Sequence, residues 1–540
     1  MAEPRTRPVA ATTARGLVPP IVAVPTAVTA FVGRCLRGPL HQPVRVQSFD
    51  EFQQRFGGLW QPATLPYAVE QYFENGGRVA LIVRVANGAR PPTLTLPAGA
   101  QQLRLTGVNA GTREYLRASV DYDGIDARDT DYFNLVLQRV RAPGSEQIED
   151  QEIYRRVSVR PDNARQLQRL LAGSQLAHVD GALPEQRPDR SQNGSSALVA
   201  YVNSANDGDD GGELCDYDIV GNAEQRRGLF ALDGAEHFNL LCVPPLTREH
   251  DVGAAALLVA LRYCRQHQAM LVVDPPLAWH TAADAIAGVA GSPFQSEDAV
   301  MYFPRLLAAD RLRGRQESFG SCGAVAGMLA RSDESWPVWA AGEGEEAQLR
   351  PGLRPQVRIT EAERKSLAQL GVNTLQSVRS VARGVSPHTF VPETHAHTDW
   401  RFLAARRFAL HIVASIERGT RWAQTAPRTP PTWNLLRSQT VAFLESLDRD
   451  GAFAGRSAEE NYFVICDHRL NEVSATASAR IQLLYGFAAL RPGEFHAFLV
   501  VHEAGQTHTR AVSVNRLAIG GRRLEDEIET GIMRALVQEH

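Results

Sequence analysis

The sequence has 540 residues, with 57 Lys+Arg against 60 Asp+Glu and a net charge of −3; 44% of residues are hydrophobic and 22% charged. This ordinary globular composition excludes a collagen-like, coiled-coil or wholly disordered chain. The near-neutral charge gives no reason to expect a nucleic-acid or anionic-membrane partner, and at about 150 residues per domain the length implies three or four domains.

In chain order, residues 1–20 are rich in Pro, Arg, Thr and Ala and lack periodicity, which reads as an extended arm. The uncharged stretch Gly16–Gly33 is broken by Pro19, Pro20 and Pro25. Those prolines spoil it both as a spanning helix and as the core of a secretion signal. Thr26–Val32 is an apolar, partly β-branched run closed by Gly33, the pattern of a buried strand. Ser48-Phe49-Asp50-Glu51 is a capping box, and Gly57-Gly58 stops the helix it starts. Pro66 opens a second helix running to Gly76-Gly77, and Val79–Val85 is another buried strand. Residues 26–86 therefore read as one compact α/β unit. The six cysteines, Cys35, Cys215, Cys242, Cys264, Cys322 and Cys466, form no CxxC pair. They read as free thiols rather than a zinc ribbon or disulfide framework.

Within that unit the ordered residues Thr26-Ala27, Phe31-Val32-Gly33-Arg34, Arg37-Gly38-Pro39, Phe56-Gly57-Gly58, Tyr72-Phe73, Asn75-Gly76-Gly77 and Val83-Arg84-Val85 resemble the opening of the contractile tail sheath family. That family comprises phage tail sheaths and the sheaths of phage-derived injection systems.

Residues 87–205 change character. Thr93–Leu96, Gln102–Thr106 and Tyr132–Val140 are alternating runs separated by polar turns, which predicts a β-rich insertion. Pro184–Ser196 reads as a polar loop. Asn206–Glu213 (NDGDDGGE) invites a calcium reading, but Gly211 stands where a third EF-hand ligand belongs. A turn-rich boundary is the better reading.

From Asn239 onward apolar strands and helical stripes alternate: Asn239–Val243, Val252–His267, Met270–Asp274, Thr281–Ala290, Ala299–Phe303 and Gly323–Arg331. This predicts a parallel sheet covered on both faces. Such sheets commonly host chemistry at their strand ends, so Asp274, His280 and Cys322 are weighed as an acid–base–nucleophile set of an α/β hydrolase. Against that set, no G-x-S-x-G elbow occurs. His280 also follows Asp274 by six residues across Pro275-Pro276, a poor arrangement for aiming a ring between acid and nucleophile. Nucleotide motifs fail too: the only lysine, Lys365, lies in a predicted helix (Thr360–Leu370) with no Gly-rich loop before it. The expectation is no enzyme, no catalytic residues, no metal and no cofactor.

The C-terminal third predicts helices at Arg406–Gly419 and Trp433–Leu447, then strands at Asn461–Cys466, Ile481–Leu490 and Phe495–Val501. Tyr302-Phe303-Pro304-Arg305, Gly323-Ala324-Val325-Ala326-Gly327, Val338-Trp339, Trp422, Trp433, Tyr462-Phe463 and Glu494-Phe495 continue the resemblance, which covers about 26–86 and 206–503. Three departures accompany it. Arg15-Gly16-Leu17-Val18-Pro19-Pro20 stands where the family has a Pro-Gly-Val-Tyr-Val-Glu-Glu strand. Ala426-Pro427-Arg428 replaces a common Glu-Pro-Asn. A further segment follows the usual last strand, with a strand-like Val512–Leu517 and a helix at Leu524–Val537. In that helix Leu524, Ile528, Ile532 and Leu536 form one apolar stripe.

The resemblance implies an α/β multidomain chain without catalysis. Its parts are an arm (1–25), an N-terminal α/β sheath unit (26–86), a β-rich inserted domain (87–205), a subtilisin-like middle domain (206–395), an α+β C-terminal sheath domain (396–503) and an extension (504–540). It implies a structural subunit that polymerises helically around an inner tube and contracts to drive the tube through a target envelope. Alternatives are a minor sheath paralogue that caps the tube or joins the baseplate and, more remotely, the hydrolase. Implied partners are further copies of the chain, the inner tube protein, and baseplate and terminator proteins, with no nucleic acid and no membrane insertion. The implied location is a virion tail or an injection particle assembled in the bacterial cytoplasm. Sheaths of this family exchange terminal strands. Phe495, Phe498 and Val500 on the donor strand, with the stripe Leu524, Ile528, Ile532 and Leu536, are the candidate inter-subunit residues.

Overall fold

The computed structural model describes residues 11–13, 16–191, 200–340, 348–375, 387–395, 399–471 and 480–512, with side chains from residue 19. The helix expected at 524–537, with Leu524, Ile528, Ile532 and Leu536, lies outside the described residues, as does all but the first residue of the strand expected at Val512–Leu517. No helix among the described residues is long and apolar enough to cross a membrane.

A seven-stranded sheet forms the centre. Its spatial order is Val372–Thr374, Ala299–Phe303, Met270–Val273, Leu240–Cys242, Thr29–Gly33, Ala80–Arg84 and Val44–Val46. All neighbours are parallel except Val44–Val46, which runs antiparallel to Ala80–Arg84. The inner strands are apolar apart from Thr29 and Arg84, because both faces are covered. Ala30 and Val32 enter one core while Phe31, between them, enters the other. The sequence reading separates 26–86 from 206–395, yet the sheet runs through both: Thr29–Gly33 pairs directly with Leu240–Cys242. Sequence-distant strands carry no local sign of pairing, and the insertion sits between them in the chain.

Helices Leu65–Glu74 and Cys322–Ser335 pack closely on one face. Gly323 and Gly327 permit this approach, since a Cβ on either would strike the backbone oxygen of Ala68 or Tyr72. Helix Phe49–Phe56 starts as expected: Ser48 Oγ accepts the Glu51 N–H at 3.1 Å, and Gly57 ends it in the left-handed conformation at φ 88°. Helices Ala254–Gln266, Ala282–Ala290 and Glu361–Gln369 cover the other face.

The insertion is β-rich. Ile148–Ser158, Tyr132–Val140, Tyr115–Asp121 and Val202–Asn203 form one antiparallel sheet; Ala177–Val179, Gln101–Gly107 and Thr93–Ala98 form another. They share a separate core that includes Leu105, Leu116, Phe133, Leu135 and Leu167. In the C-terminal domain, helices Leu403–Gly419 and Pro430–Arg449 pack on the antiparallel sheet Tyr462–Ile465, Ile481–Phe487, His496–Glu503 and Gln506–Val512.

Candidate functional site

The candidate residues fall at two places, the carboxyl ends of the central strands and the terminal strands. At the strand ends, Asp274 Oδ1 accepts the Cys322 N–H at 2.7 Å, and its Oδ2 is sealed from solvent without a partner. Burial pushes this carboxyl up, against the pull of Arg305 and the Cys322 amide. Burial also pushes the Cys322 thiol well up, away from a nucleophilic thiolate. His280 is exposed and lies outside this pair; its N–H donates to Asp284 Oδ2 at 3.0 Å, at the start of helix Ala282–Ala290. The three residues therefore do not assemble into a triad.

The cleft itself is occupied by the protein. A hairpin, Leu306–Asp310 with Arg315–Phe319, folds over it. Arg248 donates to Asp310 Oδ2 at 2.7 Å, and its guanidinium lies 4.6 Å from the Tyr67 ring centroid and 4.8 Å from that of Phe319. Tyr67 Oη donates to Asp310 Oδ1 at 3.3 Å. Arg305 donates to the Pro275 oxygen at 3.2 Å from below. What remains beside Asp274 is about 20 Å³ of room for the centre of a water molecule, enough for a single water and too little for a substrate. Sequence reasoning missed this hairpin because Leu306–Asp310 has no clean alternation. Its tip, Asp310 through Gly314 at φ 65°, was the available turn signal.

The acidic segment 206–213 stitches the insertion to the sheet. Asp207 accepts the Thr93 N–H and hydroxyl, both at 2.7 Å. Asp210 does the same for Thr112, at 3.0 and 2.5 Å, and Asp209 pairs with Arg90 at 3.2 Å. Each of these carboxylates is engaged separately. Among the described residues no group of acids, cysteines and histidines converges as a metal site.

At the other end lies the candidate donor strand. His496–Glu503 is paired on both sides within its own chain, with Ile481–Phe487 and with Gln506–Val512. Phe498 and Val500 point into the core beneath the C-terminal helices, and Phe495 sits edge-on to Phe463 at 5.3 Å. Among the described residues the sheet ends at Gln506–Val512, one strand later, with the polar run Gln506-Thr507-His508-Thr509-Arg510, and at Tyr462–Ile465 on the other side. The N-terminal arm is fastened to the same domain: Gln439 donates to the Pro19 oxygen at 2.8 Å and Ser415 Oγ accepts the Val24 N–H at 3.1 Å. Ile21 packs against Gly419, where a Cβ would intrude.

These features define a packed multidomain chain with a filled strand-end cleft and, among the described residues, a polar strand at one end of the C-terminal sheet. No protein-family model matches the sequence, and no curated protein matches it. Solved structures do match. The sheath tail protein Lin1278 from Listeria innocua superposes with a TM-score of 0.57 at 12% identity, over 90% of this chain and 97% of that one. The anti-feeding prophage helical sheath in its contracted state gives 0.51 at 15% identity, over 92% and 98%. A chain of the anti-feeding prophage baseplate in its contracted state gives 0.50 at 18% identity, over 92% and 97%. The chain thus has the fold of the contractile tail sheath proteins, as the sequence resemblance implied.

Proposed function

We propose that the chain is a structural subunit of a contractile tail sheath, which polymerises helically around an inner tube and contracts to drive that tube through a target envelope. The observation that carries this reading is the likeness to Lin1278 across nearly the full length of both chains. The filled strand-end cleft agrees with it, because a scaffold needs no substrate cavity. So does the position of Gln506–Val512 as the last strand of its sheet among the described residues, because an edge strand suits strand addition from a neighbouring copy. In this reading the subtilisin-like character of the middle domain is a matter of fold and not of chemistry. The partners are further copies, the inner tube protein, and baseplate and terminator proteins; the location is the tail or injection particle.

The test is to co-express the full chain with its tube protein and examine the product by electron microscopy. Long helical sheaths around the tube are expected. Rings or monomers alone would defeat the main-sheath reading and favour the second one, a minor paralogue that caps the tube or joins the baseplate. The likeness to the anti-feeding prophage baseplate chain is the observation favouring that alternative.

A further inference from the structure

The amino ends of the central strands meet helix Leu403–Gly419 in a joint rich in histidine. His237 and Asn239 precede strand Leu240–Cys242, His267 and Gln268 precede Met270–Val273, and His411 comes from the helix. The orientation of Asn239 is fixed: its Oδ1 accepts the Val28 N–H at 3.0 Å and its Nδ2 donates to the Pro25 oxygen at 2.7 Å. That same Nδ2 lies 3.0 Å from His237 Nε2. His237 Nε2 must therefore be an acceptor, without a proton. His411 Nδ1 is buried with no hydrogen-bond partner among the described residues. It borders a cavity with about 10 Å³ of room for a water centre, shared with Thr26, Asn239, Gln268 and Arg407.

The charges around these rings are already matched. Arg407 pairs with Asp333 at 2.8 Å and donates to the Thr26 oxygen at 3.2 Å. Arg418 donates to the Glu236 oxygen at 3.0 Å and lies 3.9 Å from the Glu236 carboxylate. Arg421 faces Glu417 at 3.6 Å, and Gln268 donates to Glu417 at 3.3 Å. Asp233 accepts the Tyr263 hydroxyl at 2.6 Å and lies 3.4 Å from His267 Nε2. His267 alone among the three rings touches a carboxylate. A proton on His237 would set donor against donor at Asn239, and one on His411 would add charge beside Arg407.

We propose that this joint is an acid-sensitive latch: protons taken up by His237 and His411 release helix Leu403–Gly419, and the arm lying along it, from the central sheet. The inference stands apart from the sheath reading, since it concerns contacts within one chain. Burial, then Arg418, His411, Arg421 and His267, push the His237 ring down to about 4. Burial, partly offset by Asp333 and aided by Arg407, pushes His411 to about 4 as well. For rings depressed on folding, the stabilisation is whole above the free-imidazole value near 6.5 and is lost as pH falls towards 4.

Hydrogen exchange of the full chain tests this, comparing about pH 7 with about pH 5 after correction for intrinsic rates. Amides of Leu403–Gly419 should open more often at the lower pH by on the order of tenfold per ring, while strand Tyr132–Val140 in the insertion stays unchanged. The double variant His237→Gln, His411→Gln should remove that excess. An equal rise across all domains, or an undiminished excess in the double variant, overturns the latch. Should the double variant not fold, exchange at the imidazole C2 positions of the native chain decides. Midpoints for His237 and His411 well below the free value support the latch, and midpoints near about 6.5 overturn it.

Discussion

The inserted domain and the C-terminal domain are each fastened to the central sheet through a buried arginine, but the partners differ in kind. Arg84, 1% exposed, donates to the oxygens of Cys35 (3.1 Å), Leu36 (3.3 Å) and Gly38 (2.7 Å) within its own unit, and to Ala110 (2.7 Å) in the insertion. Among the described residues no carboxylate bonds to it; burial lowers its pKa, yet an arginine remains charged at ordinary pH. Arg406 instead meets the fully buried Asp298, with Nε at 3.0 Å from Oδ1, while Arg265 holds the other oxygen at 2.9 Å. A guanidinium over neutral carbonyls has nothing to titrate. The second joint is built from ion pairs and neutral histidines, and it responds to acid. One domain is mounted rigidly; the other is mounted on groups that can change state.

The largest test of this contrast is Arg406→Met. Asp298 would keep one arginine where it had two, as a buried carboxylate short of compensation. We expect a loss of about 3–5 kcal/mol in denaturant unfolding. Adding Asp298→Asn should recover part of it, since removing both charges is cheaper than stranding one. A single-variant loss under about 1 kcal/mol, the range of an exposed pair, would break the comparison.

Arg84→Met should cost about 3–4 kcal/mol, from four carbonyls left short of a donor at about 1 kcal/mol each, the low end for a buried acceptor. The sharper expectation is its pH profile. The loss should be the same at about pH 5 as at about pH 8, because none of its partners titrates in that range. A loss that grows or shrinks across that window would mean that buried Glu114, near Arg139 at 4.0 Å, takes part in the joint.

Much of this architecture was legible in the sequence and some was not. Apolar runs such as Ala299–Phe303 marked buried strands because strands covered on both faces carry no polar alternation. The terminal edge was harder. Gln506–Val512 is only partly buried and mostly polar, so its hydrophobic signal is weak. The sign that remained was the two-residue turn Ala504-Gly505, with Gly505 at φ 80°, joining it to His496–Glu503 as a hairpin. Phe498 and Val500 are buried in the core of their own domain. The joints were least legible. The pairing of Asn239 with Pro25 and Val28 links residues more than 200 positions apart, and neither the role of His237 nor that of Arg84 follows from the residues flanking it.

The smallest effect sharpens the rigid side of the comparison. Asp207 joins the boundary segment to Thr93 through both carboxylate oxygens, on an exposed surface. Desolvation pushes its carboxyl up slightly, but the Thr93 N–H and hydroxyl outweigh it and hold the group below its usual range. A depressed carboxylate contributes its stabilisation above the unfolded value near 3.8 and loses it as acid protonates the folded form. Asp207→Ala should therefore cost under about 1 kcal/mol at neutral pH, with the difference from the parent chain vanishing only in strong acid. Asp207→Asn keeps an acceptor for the Thr93 N–H and should cost less still. Because neighbouring Asp210 holds Thr112 in the same way, either variant should leave exchange in Thr93–Ala98 raised only at its first residues. A variant that frees the whole insertion would mean that this surface stitch, and not Arg84, carries the joint.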